Sequence, residues 1–118
     1  MTLAAEHGIL LRDSRADARA RLTALDVAIA ELRVERGVDV ADDEHDPEGV
    51  TLSVEWGRLT GLRAAAEREV AELDDALARW DAGTYGICVD CGRRIPVERL
   101  RARPAATRCV ACAERAGE

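Results

Sequence analysis

The chain has no lysine and no phenylalanine. Without lysine, all seventeen basic residues are arginine, which reads as a compositional bias and not as a functional signature. Without phenylalanine, Trp56, Trp80 and Tyr85 are the only aromatics, and an aromatic core is excluded. The apolar content is mostly alanine, leucine and valine, a mixture that forms helices readily but builds a thin core. At 118 residues the chain is one domain, or one small domain with an elongated appendage, and it needs a staple or a long helix–helix seam. No apolar run is long enough for a signal peptide or a membrane span. The expectation is a cytoplasmic protein with no membrane partner.

Arginine is also absent from Gly37 to Gly57, where Asp39, Asp42, Asp43, Glu44, Asp46, Glu48 and Glu55 accumulate. That segment carries −7 against a total of −6, which leaves +1 for everything else. A negative chain gains little from neutralising phosphates, so general attraction to a nucleic-acid backbone is disfavoured.

What is present is helical periodicity. Leu22, Leu25, Ile29 and Leu32 follow one another at spacings of three and four, and Leu11 and Ala18 extend the register backwards. Arg33 and Arg36 precede Gly37, a helix stop. The first helix should run from Leu3 or Ile9 to Arg36. A second seam runs through Leu59, Leu62, Ala66, Val70, Leu73, Leu77 and Trp80, and Gly83 closes it. Asp46 before Pro47 suits an N-cap followed by proline in the first turn. Gly57 and Gly61 each cost about 1 kcal/mol in a helix, so loose first turns are expected. Neither helix can bury its stripe alone. Two of about 30 residues joined by a short link should form an antiparallel hairpin. The fold expected is mainly α: a long antiparallel helical hairpin, coiled-coil in character, over residues 1–83. Its acidic tip lies near 38–50, and a small C-terminal four-cysteine module covers 84–118.

In "CVDCGRRIPVERLRARPAATRCVAC", Cys88 and Cys91 form one CxxC pair and Cys109 and Cys112 another, with seventeen residues between them. Two intervening residues let both thiolates of a pair face one ion, and two pairs close a tetrahedral shell. Gly92 lets the backbone turn so that amides donate to sulfur. The reading is one structural Zn²⁺ held by all four cysteines, with a rubredoxin-like iron site, a redox pair and disulfides as weaker alternatives. Metal would staple a module that has almost no core. His7 and His45 are not needed as ligands and are expected to be solvated. Arg93, Arg94, Arg99, Arg101, Arg103 and Arg108 surround the site, read as balancing its charge before a nucleic-acid patch. No nucleophile–base pair is visible and a four-thiolate site leaves no open position, so no enzymatic activity is expected.

The stretch "GTYGICVDCGRRIPVERLRARPAATRCVAC", from Gly83 to Cys112, resembles the C-terminal zinc finger of the bacterial DksA/TraR family, in its "CG" knuckle, "ERL" and "ARP". That resemblance implies a helical hairpin ahead of the finger. It further implies a non-enzymatic transcription regulator that binds RNA polymerase without contacting specific DNA sequence. In the family the hairpin enters the polymerase secondary channel and acidic tip residues modulate initiation, in some members together with ppGpp. Carried over, the tip residues are Asp42, Asp43, Asp46 and Glu48. Asp43 and Asp46 have the spacing of the family's aspartate pair, but Glu48 stands at the following small position. Counting back from the cysteines instead moves the match towards Glu48 and Val50. A monomer is expected. The alternatives are a Gre-like factor that stimulates transcript cleavage through tip carboxylates on Mg²⁺, which the four-cysteine finger argues against, and a zinc-ribbon nucleic-acid-binding module.

Overall fold

The structure, a computed structural model, describes the backbone of residues 3–39 and 47–118, with side chains over 5–35 and 51–118. Two long helices come first: α1 spans Leu3–Asp39 and α2 spans Pro47–Ala82. Two short ones follow, α3 at Val97–Ala102 and α4 at Val110–Arg115. The chain divides into two compact units, one made of residues 1–17 and 70–118, the other of residues 18–69.

α2 begins at proline, whose fixed φ suits a first turn and whose missing N–H is not needed there. It continues through Gly57 and Gly61, where an added Cβ would meet nothing within 4 Å, so the helix is unbroken where loose turns were expected. It ends as the sequence predicts. Gly83 takes φ of 77°, its N–H donates to the Trp80 carbonyl at 3.2 Å, and the Thr84 N–H donates to the Arg79 carbonyl at 2.9 Å. This pair of bonds satisfies carbonyls that the helix end would otherwise leave open, and it needs a residue without a Cβ.

In the unit of residues 18–69, Ile29, Leu32 and Leu59 are buried together, with Leu25, Ala28, Leu52 and Trp56 packed against them. Arg21 pairs with Glu69 at 2.7 Å, Asp26 with Arg63, and the Arg33 guanidinium lies 5.4 Å from the Trp56 ring centroid. Partner numbers fall as α1 numbers rise, which is antiparallel pairing. The charged pairs are exposed and screened by water, so they add little. A buried leucine contributes about 1.5–3 kcal/mol, so the apolar seam decides the register. One seam residue departs from expectation: Leu62 is 45% exposed. Three residues past Leu59 it is turned about 60° away, and Trp56, turned equally to the other side, takes the packing instead.

In the other unit Leu11, Leu73, Ala76 and Leu77 are buried, Leu73 to 2% exposure. Arg15 pairs with Asp74 at 3.2 Å. Gly8 sits under the Trp80 indole so closely that a Cβ would lie 3.0 Å from the ring. His7, expected in solvent, is instead 8% exposed and lies 5.7 Å from the Tyr85 ring. It falls four residues before Leu11 on the seam, and the helix face carries it inward whatever its polarity.

Candidate metal centre

After α2 few large apolar side chains are buried, and hydrogen bonds at turns set the path of the chain. Gly86, with φ of 83°, accepts from the Ile95 N–H at 2.8 Å, next to an antiparallel bridge between Ile87 and Arg94. The Cys88 N–H donates to the Arg93 carbonyl at 2.8 Å, and the Gly92 N–H donates back to the Cys88 carbonyl at 3.0 Å. Gly92, at φ of 73°, permits that reversal. This is the first knuckle. The second opens α4, with Cys109 at its N-cap. The Val89 N–H, donating to the Thr107 carbonyl at 2.9 Å, ties the two together. Beneath them Cys88, Ile95, Leu100 and Cys112 form the core, with Tyr85, Ala106 and Cys109 against it. The Tyr85 hydroxyl donates to the Pro104 carbonyl at 2.7 Å and so anchors the loop after α3.

The sulfurs of Cys88, Cys91, Cys109 and Cys112 all lie within 4.8 Å of one another. Cys91 and Cys109 are 3.9 Å apart, close to the ~3.8 Å edge of a tetrahedron with Zn–S bonds of about 2.3 Å. The knuckles also share an electrostatic device. The Cys91 amide, followed by that of Cys109, pulls the Cys88 thiol down to about 6. The Cys112 amide is the main cause lowering Cys109. Cys112 is pushed up to about 11, first by its contact with Cys109 and then by burial, against the opposing pull of Arg115. Four sulfurs this close cannot all ionise cheaply by themselves. A soft dication fits the set, because it neutralises two of the four charges while amides and one guanidinium address the rest. The donors are all thiols, two are buried, and the shell closes at four, which makes this a structural site for one Zn²⁺.

Of the arginines expected around the site, Arg108 donates to Asp90 at 2.7 Å and to Glu118 at 3.0 Å. Arg99 donates to the Arg108 carbonyl at 2.7 Å, and Arg101 lies 3.7 Å from Glu6. The guanidinium that reaches sulfur is not one of these six: Arg115 Nη2 donates to Cys112 Sγ at 3.0 Å. Its signal was its place three residues after Cys112 on a helix, one turn along the same face. Asp42, Asp43, Asp46 and His45 lie outside the described residues. Glu48 falls in the first turn of α2, with its side chain outside them as well.

Residues 83–116 match the family model of the prokaryotic dksA/traR C4-type zinc finger. A protein of Aquifex aeolicus is 51% identical over 43 residues, which are 36% of this chain and 30% of that one. The RNA polymerase-binding transcription factor DksA of Caulobacter vibrioides is 44% identical over 65 residues, 53% of this chain and 46% of that one. The chain thus spans less than half the length of these curated relatives. The solved structure of transcription factor DksA2 from Pseudomonas aeruginosa shares the fold, with a TM-score of 0.80 at 23% identity, covering 98% of this chain and 83% of that one. Among the described residues no helix is long and apolar enough to cross a membrane.

Proposed function

We propose that this chain, a DksA/TraR-family zinc finger protein, is a non-enzymatic transcription regulator that binds RNA polymerase through the secondary channel. The observation that carries the reading is the match of residues 83–116 to the dksA/traR finger, placed after a helical hairpin with the DksA2 fold. The Caulobacter relative, named as an RNA polymerase-binding factor, supports the choice of partner. In this reading residues 1–83 are an arm and residues 84–118 are the finger that braces it. Cys88, Cys91, Cys109 and Cys112 hold one zinc ion. The protein works in the cytoplasm as a monomer, with no specific DNA sequence of its own, and ppGpp acts, where it does, at the polymerase interface.

Asp42, Asp43, Asp46 and Glu48 are the effector group. Exposed charge pairs contribute little affinity, typically under about 1 kcal/mol. Their effect comes from position, because negative charge placed in a confined channel alters the field where screening by water is weaker. The test is capture of the full chain by purified core RNA polymerase, together with an initiation assay. Replacing Asp43 and Asp46 together by asparagine should leave binding within about threefold of wild type and abolish most of the effect on initiation. Wild-type protein that does not bind core polymerase would sink the reading. Unchanged regulation by the double variant would return the acidic segment to a merely solvated role.

A further inference from the structure

The unit of residues 18–69 carries an open groove of about 490 Å³, lined by Asp26, Ile29, Ala30 and Arg33 from α1 and by Trp56, Thr60 and Arg63 from α2. Ile29, Ala30 and the Trp56 indole give it apolar surface, and Asp26, Arg33 and Arg63 give it charge. The charges are unequal in status. Arg63 bonds to both Asp26 and Glu67, so its charge is already met. Thr60 turns its hydroxyl to the Trp56 carbonyl, 2.9 Å away. Arg33 stacks on Trp56, and it meets no carboxylate among the described residues. Among the described residues the groove therefore presents one positive charge without a carboxylate partner, set over an aromatic face.

We propose that this groove is a docking site for an acidic side chain of the protein partner, with Arg33 as the receiving cation and Trp56 as the surface against which the partner packs. The inference rests on the polymerase reading above and adds a second contact to it, on the flank of the arm. Charge complementarity selects the occupant. With Asp26 and Glu67 both answering Arg63, Arg33 is the charge left to select a partner, and a cation favours an acidic group. A flat base would have to displace the guanidinium from the indole, whereas a carboxylate bonds to its outer edge and leaves the stack intact. Tryptophan and arginine are also the residue types that most often dominate protein contacts when the two sit together in a pocket.

The test measures binding of the full-length zinc-loaded protein to purified core RNA polymerase at two salt concentrations. Arg33→Gln should weaken binding on the order of tenfold and Arg33→Glu further, as is typical when one partner of a desolvated charge pair is removed. The loss should shrink at high salt. Trp56→Ala should show a similar loss and Trp56→Phe a smaller one, because the ring face is kept. Arg58→Gln is the control, since Arg58 is exposed and already bonded to Glu55 at 2.6 Å. Helix content by circular dichroism verifies that each variant is folded, and Arg33 is exposed enough for that to hold. If wild type binds and Arg33→Glu binds within about twofold of it, this inference is overturned while the polymerase reading stands. Equal losses for Arg33→Gln and Arg58→Gln overturn it too, by showing a general charge effect. If wild type fails to bind at all, the polymerase reading fails and this inference with it.

Discussion

The helical hairpin and the finger solve the same shortage in different ways. Both come from a chain with three aromatics and no phenylalanine. The hairpin compensates by repetition: Leu11, Ile29, Leu32, Leu59, Leu73 and Leu77 each bury modest apolar area, and two helices of 37 and 36 residues allow many such contacts. The finger, with helices of only six residues, cannot repeat anything. It buries Ile95 and Leu100 and must gain the rest from four sulfurs held by turn hydrogen bonds. Stability in the first is distributed, so single losses are tolerable. In the second it is concentrated at one point.

The largest expected effect tests that concentration. Cys91→Ser should release the zinc and unfold the finger, since metal binding supplies about 10 kcal/mol or more of folding free energy in small zinc modules. Helix content by circular dichroism should nonetheless remain high, because α1 and α2 hold most of the helical residues. Zinc analysis checks the first half. Collapse of the whole helical signal would show that the hairpin too depends on the metal. An intermediate effect tests distribution. Leu73→Ala, at a position only 2% exposed, should cost about 2–5 kcal/mol in denaturant unfolding without releasing zinc. A change within about 0.5 kcal/mol, as at surface sites, would remove Leu73 from the seam.

The smallest effect concerns Tyr85, which packs on the finger core. Burial, against a weaker opposing effect of Arg79, raises its phenol above the ordinary value of 10.0. A group whose folded value is raised contributes stability that is complete below the unfolded value and is lost as pH rises through the folded one. The contribution of Tyr85 to the finger should therefore be lost only above about pH 10, and tyrosinate absorbance should titrate later in the folded chain than in denaturant. The readout is clean, because this is the single tyrosine and no lysine titrates in the same range. A folded midpoint at or below the denatured one would contradict the burial of the ring.

Much of this architecture was legible because it depends on local rules. Gly83 and Pro47 bound α2 through backbone geometry that suits those residues. The spacing of the four cysteines states the knuckles outright. What escaped depends on which flank of a seam is used. Leu62 matched the heptad but not the side on which Trp56 packs. The polarity of His7 points to solvent, but its place on the helix decides its burial. The role of Arg115 follows from α4, a helix too short to announce itself by periodicity.

The pairing of Arg21 with Glu69, Asp26 with Arg63 and Arg33 with Trp56 also limits how such an arm can change its length over evolutionary time. Deleting one residue from α1 rotates everything beyond it by about 100°, which would swing Ile29 and Leu32 out of the seam and part every later couple. Removing seven residues from one helix alone preserves its face but leaves the other helix unanswered. Only matched steps of about two turns, taken from both helices together, keep the ladder intact. Descendants of this sequence should therefore come in a small set of arm lengths, and a lineage that gains a heptad on one side should show its counterpart on the other.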